Sequence, residues 1–377
     1  MRVALVCDYP QEDWPSMDLC AQMLLETWQT YPTHAWQPQP VCPSFRARLT
    51  RLPRFGHSKI AFNSDRILNR FWDYPHYLRQ RVSKFDLFHV CDHTYAHLVH
   101  ALPPERTGVY CHDINTFRSL VEPAQEPRPR WYQAMVQQIL NGLQKAAVVF
   151  YSTSEVRRLL NNYQLVHPTR LVQAPYGISP EFSPHSSARL RDAQPLFPPL
   201  AQPFILHVGS CIPRKRVDVL LEVFAQLHEH PNLRLVKVSG EWSLEQEQQI
   251  DRLNLRSRID HWHHLSRDAI AELYRRAAVV LLTSEAEGFG LPLIEALACG
   301  AIPVVSDIPV LREVAGRAAL YCPVGDVPAW VAAVNAVLAD ATQAPARSLR
   351  LAQASQYSWK THTETIAQAY LQLANQG

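Results

Sequence analysis

Short, nearly continuous apolar runs alternate along this chain with stretches in which apolar residues return at the helical period. In the first half the runs are Val3–Cys7, Leu87–Cys91, Gly108–Cys111 and Ala147–Tyr151, and helices are predicted over Met17–Trp28 and Trp131–Lys145. Apolar on both faces, such strands read as members of a parallel sheet with helices on each side. The alternation breaks at Arg191–Pro203, which holds four prolines in 13 residues. A helix or inner strand cannot tolerate that density, because each proline lacks an N–H and fixes its own φ. The pattern restarts with runs at Phe204–Val208, Leu233–Val238, Val279–Thr283 and Ile302–Ser306, and with helices over Val217–His228, Arg267–Ala278 and Pro292–Cys299. The expectation is an α/β protein of two doubly wound, Rossmann-like domains, residues 1–190 and 204–358, joined by a linker over 191–203. A last helical stretch from Trp359 to Asn375 is suited to pack back on the body. Open α/β sheets bind ligands beyond the carboxyl ends of their strands, so the site is expected in a cleft between the domains.

Length supports this division, since 377 residues exceed what one core fills and suit two. With 47% apolar residues and no apolar run of about 20, the chain reads as a soluble globular protein. Its first apolar run is too short for a signal-peptide core, so a cytoplasmic location is expected. The eight cysteines are scattered without pair or finger spacing, the pattern of reduced thiols. A net charge of +3 is too small to imply nucleic acid, but it is unevenly spread. Residues 1–195 carry 21 Lys/Arg against 16 Asp/Glu, and residues 196–377 carry 16 against 18, so any attraction to an anionic surface belongs to the first half.

Candidate chemistry concentrates in the second half. In Glu287-Gly288-Phe289-Gly290-Leu291-Pro292-Leu293-Ile294-Glu295-Ala296-Leu297-Ala298-Cys299-Gly300 a strand runs into a loop with two glycines. Pro292 opens a helix where a missing N–H does no harm, and Gly300 closes it. Free N–H groups and the positive dipole end make such a helix start an anion site. Glu287 and Glu295 are placed to meet paired hydroxyls; alone, they could also be a solvated loop charge and an early-helix acid. Upstream, Gly209-Ser210-Cys211-Ile212-Pro213-Arg214-Lys215-Arg216 follows a strand with a glycine turn and three cations, the usual partners of phosphate oxygens. It lacks the spacing of a Walker loop, and no Gly-x-Gly-x-x-Gly follows either first strand, which argues against an ATPase, a kinase or a dinucleotide-dependent oxidoreductase.

Together these strings resemble glycosyltransferase family 4, a group of the GT-B superfamily. The resemblance is strongest from Phe204 to Asp326 and rests on the two glutamates, Glu287 and Glu295, with seven residues between them in an EGFGLPLIEALACG-like string. In the first half, Tyr110-Cys111-His112-Asp113, Tyr151-Ser152-Thr153-Ser154 and Ala174-Pro175-Tyr176-Gly177-Ile178 are similar to the family's strand ends and turn. Tyr357-Ser358-Trp359 is similar to the start of its helix that crosses back to the N-terminal domain.

The resemblance implies a retaining, metal-independent hexosyltransferase of glycan or polysaccharide biosynthesis, with no cofactor. Its donor would be a nucleoside-diphosphate sugar, UDP- or GDP-linked, bound by the C-terminal domain; its acceptor, a saccharide or lipid-linked molecule, would be bound by the N-terminal domain. Lys215 with Arg214 would neutralise the leaving diphosphate, Glu287 would hold the donor sugar and Glu295 the ribose. Gly209, Ser210 and the amides of Gly288, Phe289, Gly290 and Leu291 would line the donor site, with His112 at the reacting centre. The pattern departs from the family at Pro10–Met17, where paired glycines are usual, at Ser210 in place of an arginine, and at Tyr176 and Ser179 in place of Asn and Asp.

Four histidines in Phe88–His100 invite a metal reading, which their spacing on a helix-like stretch does not support. Asp92 and His93 at the strand end, Asp113 and Ser16 are acceptor-side candidates. Residues 46–59, with Arg46, Arg48, Arg51, Arg54 and Lys59 among apolar residues and no acid, read as a solvated loop, an acceptor contact or a peripheral contact with the inner face of a membrane. The rival readings are a non-catalytic scaffold subunit that keeps the fold and a sugar-nucleotide epimerase of the same architecture.

Overall fold

The computed structural model describes residues 1–31, 36–53, 58–185 and 202–374. The chain divides into two units: unit 1 comprises Met1–Gly177 with Trp359–Gly377, and unit 2 comprises Ile178–Ser358.

Unit 1 runs β1 (Arg2–Val6), α1 (Pro15–Thr30), β2 (Gln37–Val41), α2 (Lys59–Leu68), a π-helical turn (Asn69–Asp73), α3 (Tyr74–Arg79), β3 (Leu87–Val90) and β4 (Thr107–Cys111). It continues with α4 (Arg118–Val121), α5 (Arg130–Lys145), β5 (Val148–Tyr151), α6 (Ser154–Asn162) and β6 (Leu171–Gln173). All strand pairs are parallel, in the order β2-β1-β3-β4-β5-β6. β3, β4 and β5 are buried at every position, as their apolar runs require. β2, Gln-Pro-Gln-Pro-Val, was not expected; Pro38 and Pro40 are tolerated because it lies at the sheet edge.

Unit 2 runs β7 (Phe204–Val208), α7 (Val217–Gln226), β8 (Arg234–Val238), α8 (Leu244–Arg252), β9 (Ile259–Trp262), α9 (Arg267–Arg276), β10 (Val279–Leu282) and α10 (Leu291–Ala298). β11 (Pro303–Ser306), α11 (Pro309–Ala315), β12 (Leu320–Cys322), α12 (Val327–Ala339) and α13 (Arg347–Ala354) complete it, and α14 (Trp359–Ala374) returns to unit 1. Its parallel sheet has the order β12-β11-β10-β7-β8-β9, the doubly wound arrangement expected. α14 seats Ile366 and Tyr370 in the interior of unit 1, where the Tyr370 hydroxyl hydrogen bonds with His89 Nδ1 at 2.9 Å.

One boundary differs from expectation. The chain passes into unit 2 after Gly177, not at the proline-rich stretch, of which 191–201 lie outside the described residues. Residues 178–185 are fixed to unit 2 by side chains of α9. Arg267 donates to Ser179 Oγ at 3.1 Å and pairs with Glu181 at 3.2 Å, and Arg275 donates to Ser183 O at 3.1 Å. Phe182 meets Tyr274 edge-on.

Candidate active site

A doubly wound sheet leaves a crevice beyond the carboxyl ends of the two strands where its winding reverses. In unit 2 these are β7 and β10, paired in parallel. The loops that leave them are stitched together: Thr283 Oγ1 donates to Lys215 O at 2.9 Å, Glu285 N–H to Arg214 O at 2.9 Å and Arg214 Nη1 to Ala286 O at 3.0 Å. This sets two cations on one carboxylate. Lys215 Nζ lies 2.6 Å from Glu287 Oε1, Arg214 Nη1 lies 3.2 Å from Oε2, and Ser284 Oγ donates to Oε1 at 2.7 Å. Burial would raise the Glu287 carboxyl, but Lys215 and then Arg214 outweigh it and hold the group below its ordinary value. Two cations against one carboxylate leave net positive charge for an anion.

Gly209 adopts φ 149°, and the nearest atoms to a Cβ there would be His207 Cε1 at 3.7 Å and Lys215 Cε at 3.9 Å, so the backbone is open to close approach. Ser210 follows, half-buried. Under this turn lies a residue that sequence reasoning missed. Lys237, on β8 and fully buried, donates through Nζ to Gly209 O at 2.5 Å, to Val238 O at 3.2 Å and to Ser239 O. Burial lowers its ammonium to about 8, still protonated at neutral pH, and it ties the turn down. The only cue was a lysine between Val236 and Val238 in the strand Arg-Leu-Val-Lys-Val.

α10 starts as the glycine loop and proline predict. Gly290 is its N-cap at φ 90°, Pro292 lies in its first turn and Gly300 follows its end at φ 77°. The amides of the loop from Gly288 to Leu291 and the dipole end therefore belong to the same loop cluster as Arg214 and Lys215. Phe289 turns its ring into the interior, edge-on to Tyr357. Glu295, one turn into α10, accepts from Tyr274 O–H at 3.2 Å. Burial raises its carboxyl to about 7, restrained by Tyr274 and Arg267. Arg216 is directed elsewhere, to Asp218 at 2.9 Å and Glu285 at 3.4 Å.

Unit 1 reverses between β1 and β3, and the groups there are acids and histidines. Asp92 accepts from Thr94 N–H at 2.8 Å and Oγ1 at 2.9 Å. His93 Nδ1 accepts from His112 N–H at 3.3 Å and lies 3.2 Å from Asp92 Oδ1, and its Nε2 lies 3.7 Å from Asp113 Oδ1. Burial disfavours the His93 cation, yet Asp92 raises its pKa above the ordinary histidine value. Asp8, just beyond β1, was overlooked because only its place after the first strand marks it. It is buried, neither carboxylate oxygen has a hydrogen-bond partner among the described residues, and burial followed by the charge of Asp92 pushes its carboxyl well up. His112 is buried with both ring nitrogens engaged, Nδ1 by the Tyr176 hydroxyl and Nε2 by Cys91 O at 2.8 Å. Tyr176 is thus a partner of that imidazole rather than only a turn residue. Ser16 is exposed on the first turn of α1, with no hydrogen bond to this group.

Among the described residues no three His, Cys, Asp or Glu side chains are arranged to hold a metal ion. The four histidines diverge: His89 bonds Tyr370, His97 stacks on Phe71 at 4.1 Å and His100 bonds Gln138 O. All eight cysteines are free thiols.

Residues 189–355 match the family model for glycosyl transferases group 1. The O-antigen chain mannosyltransferase B of Escherichia coli is 29% identical over 276 residues, covering 71% of this chain and 70% of its own length. An O-antigen chain mannosyltransferase of Salmonella typhimurium is 30% identical over 35% of this chain and 37% of its own. Among solved structures, the sucrose-phosphate synthase of Thermosynechococcus elongatus aligns with a TM-score of 0.74 over 100% of both chains at 18% identity. The Anabaena protein HepE, in complex with UDP, aligns with a TM-score of 0.69 over 98% of this chain and 99% of its own at 18% identity. The chain has the GT-B fold of these solved structures, and its second half carries the match to the glycosyl transferases group 1 model.

Proposed function

We propose that the chain is a retaining glycosyltransferase of family 4 that transfers a hexose from a UDP- or GDP-linked donor to a saccharide or lipid-linked acceptor in glycan biosynthesis, without a metal or other cofactor. The observation that carries this reading is the excess positive charge of Lys215 and Arg214 over Glu287, beside the start of α10. A leaving diphosphate needs its developing charge stabilised, and these two cations and the positive dipole end of α10 supply that stabilisation. The mannosyltransferase relatives support a hexose donor and put mannose first among the sugars to try.

In the proposed reaction the bond between the anomeric carbon and the diphosphate oxygen breaks. The acceptor oxygen bonds to that carbon on the same face, and its proton passes to the departing phosphate. Glu295 as a carboxylate accepts from the ribose hydroxyls, and Glu287 orients the sugar. Unit 1 supplies the acceptor side through Asp92, His93 and Asp113, with Asp8 added, and His112 is kept in one orientation by Tyr176 and Cys91.

The test is a thermal-shift and hydrolysis screen of the protein against UDP-, GDP-, ADP- and dTDP-sugars with EDTA present, since a ligand of the folded state raises its apparent stability. Stabilisation by one donor with slow release of its nucleoside diphosphate is expected. Folded protein that responds to none of them would sink the reading in favour of a scaffold subunit.

A further inference from the structure

The cations of the first half are not used by the chemistry above. Between Phe45 and Phe85 the sequence holds ten Lys/Arg and two acids, Asp65 and Asp73, and both acids are buried. Asp65 accepts the backbone N–H groups of Arg48 at 2.9 Å, Leu49 at 2.9 Å and Thr50 at 3.0 Å, with the Thr50 hydroxyl at 2.7 Å. These bonds overcome its burial, hold its carboxyl at about 2, and pin the turn at 48–51 onto α2. Asp73 takes both forks of Arg48, at 2.7 and 2.8 Å, and Arg46 reaches it at 3.4 Å. Arg66 and Arg70 face Glu12, whose side chain is also buried. Among the described residues no acidic side chain pairs with Arg51, Lys59 or Arg79.

Large apolar side chains stand on the same helical stretch. Trp72 is 75% exposed, Ile60 68% and Leu68 42%, and Leu52 in the pinned turn is 48% exposed. α2, the π-helical turn and α3 follow one another without a break from Lys59 to Arg79. Steps of four residues from Ile60 through Ser64 and Leu68 to Trp72 therefore keep to one side of that helix. Exposed apolar residues gathered along one stripe, rather than scattered singly, mark a docking face.

We propose that this face of unit 1, with Trp72, Leu68, Ile60 and Leu52 set among Arg46, Arg51, Lys59 and Arg79, docks on an anionic lipid surface. The proposal deepens the acceptor-side reading, since a lipid-linked acceptor is met at such a surface. Exposed cations whose nearby acids Asp65 and Asp73 are buried complement a uniformly anionic plane, and a tryptophan beside cations is the usual composition of an interfacial helix. A second copy of the chain would oppose positive charge to positive charge. Among the described residues no helix is long and apolar enough to cross a membrane, so the contact is peripheral.

The full chain is sedimented with vesicles of phosphatidylcholine alone and with vesicles in which about a third of the lipid is phosphatidylglycerol. Binding is expected only to the second kind, weakening about tenfold or more when salt is raised from about 0.1 to about 0.5 M. Trp72→Ser, at a side chain that supports no core, should lower the partition about tenfold while leaving the thermal shift by donor nucleotide unchanged. Equal binding to both vesicle types, no binding, or Trp72→Ser partitioning like the wild type would overturn the proposal. So would a dimer in solution that Trp72→Ser converts to monomer, which would assign the face to self-association. Donor hydrolysis measured without vesicles reports on the glycosyltransferase reading separately, so either idea can fail alone.

Discussion

The two units share a parallel six-stranded sheet and differ in the charge placed where each sheet reverses. In unit 2 the loops beyond β7 and β10 bring Arg214 and Lys215 onto the single carboxylate of Glu287. In unit 1 the ends of β1 and β3 bring Asp8 and Asp92 together with His93. Topology fixes where a ligand can lie, and charge decides which: surplus cations beside a helix start suit a diphosphate, whereas acids and a histidine suit the neutral hydroxyls of a sugar. The largest test of this difference is Lys215→Ala, which should lower turnover by about two orders of magnitude or more, as loss of a transition-state charge does. Asp92→Asn should leave hydrolysis of the donor within about threefold, because its partners belong to the other reversal point. Comparable losses from both substitutions, measured on folded protein, would erase the division.

Glu295 sharpens the unit 2 side. Its carboxyl, raised by burial to about 7, is largely protonated at slightly acidic pH, and only the carboxylate is a full acceptor for two ribose hydroxyls. Donor affinity should therefore rise between about pH 6 and 8, and Glu295→Gln should weaken binding about tenfold and flatten that rise. The unliganded protein should show the opposite trend. A folded-state value above the ordinary 4.5 stabilises fully below 4.5, and that contribution is lost as pH rises through about 7. Titration calorimetry across this range decides the matter, and an unchanged pH slope in the Gln variant would remove the ribose role.

Asp8 does the same for unit 1, with a smaller effect. Its folded-state value is raised, first by burial and then by Asp92, so its stabilisation is complete below the ordinary 3.8 and is lost as pH climbs through the raised value. Asn is isosteric and never ionises. Asp8→Asn should hold stability at pH 6 within about 1 kcal/mol and flatten its decline at higher pH. Thermal unfolding of both proteins over a pH series checks this, and parallel curves would show that Asp8 is already ionised.

The inner strands and the donor loops were legible because their causes are local. A strand buried on both faces must be a continuous apolar run, and a loop whose backbone approaches a ligand must carry glycine at positions such as Gly209 and Gly290. Edge strands were not legible: β2 carries two prolines, and β9, Ile-Asp-His-Trp, has no apolar run. Lys237 was hidden because its partners, Gly209 O and Ser239 O, are acceptors that any backbone offers and sequence does not number. The engagement of His112 depends on Tyr176, 64 residues away, a pairing that only the parallel sheet creates. The chain's early passage into unit 2 was missed for the same reason. Proline density marks where regular structure stops, whereas Glu181 and Ser183 are fixed by arginines of α9.

Arg216 gives the smallest and most discriminating test, because the three cations of the unit 2 loop look equivalent in sequence and are not equivalent in structure. Its backbone sits at φ 47°, in the left-handed region that favours glycine, and it is the N-cap of α7. Its guanidinium is committed to Asp218 and Glu285, both substantially exposed, so those ion pairs contribute little. Relief of the backbone conformation should outweigh their loss, and Arg216→Gly should raise stability by about 0.5–1 kcal/mol. If the surplus charge that serves the diphosphate resides in Arg214 and Lys215 alone, turnover in this variant should stay within about twofold of the wild type. A loss near that of Lys215→Ala would mean that Arg216 leaves Asp218 for the ligand, and the positive reversal point would then hold three working cations instead of two.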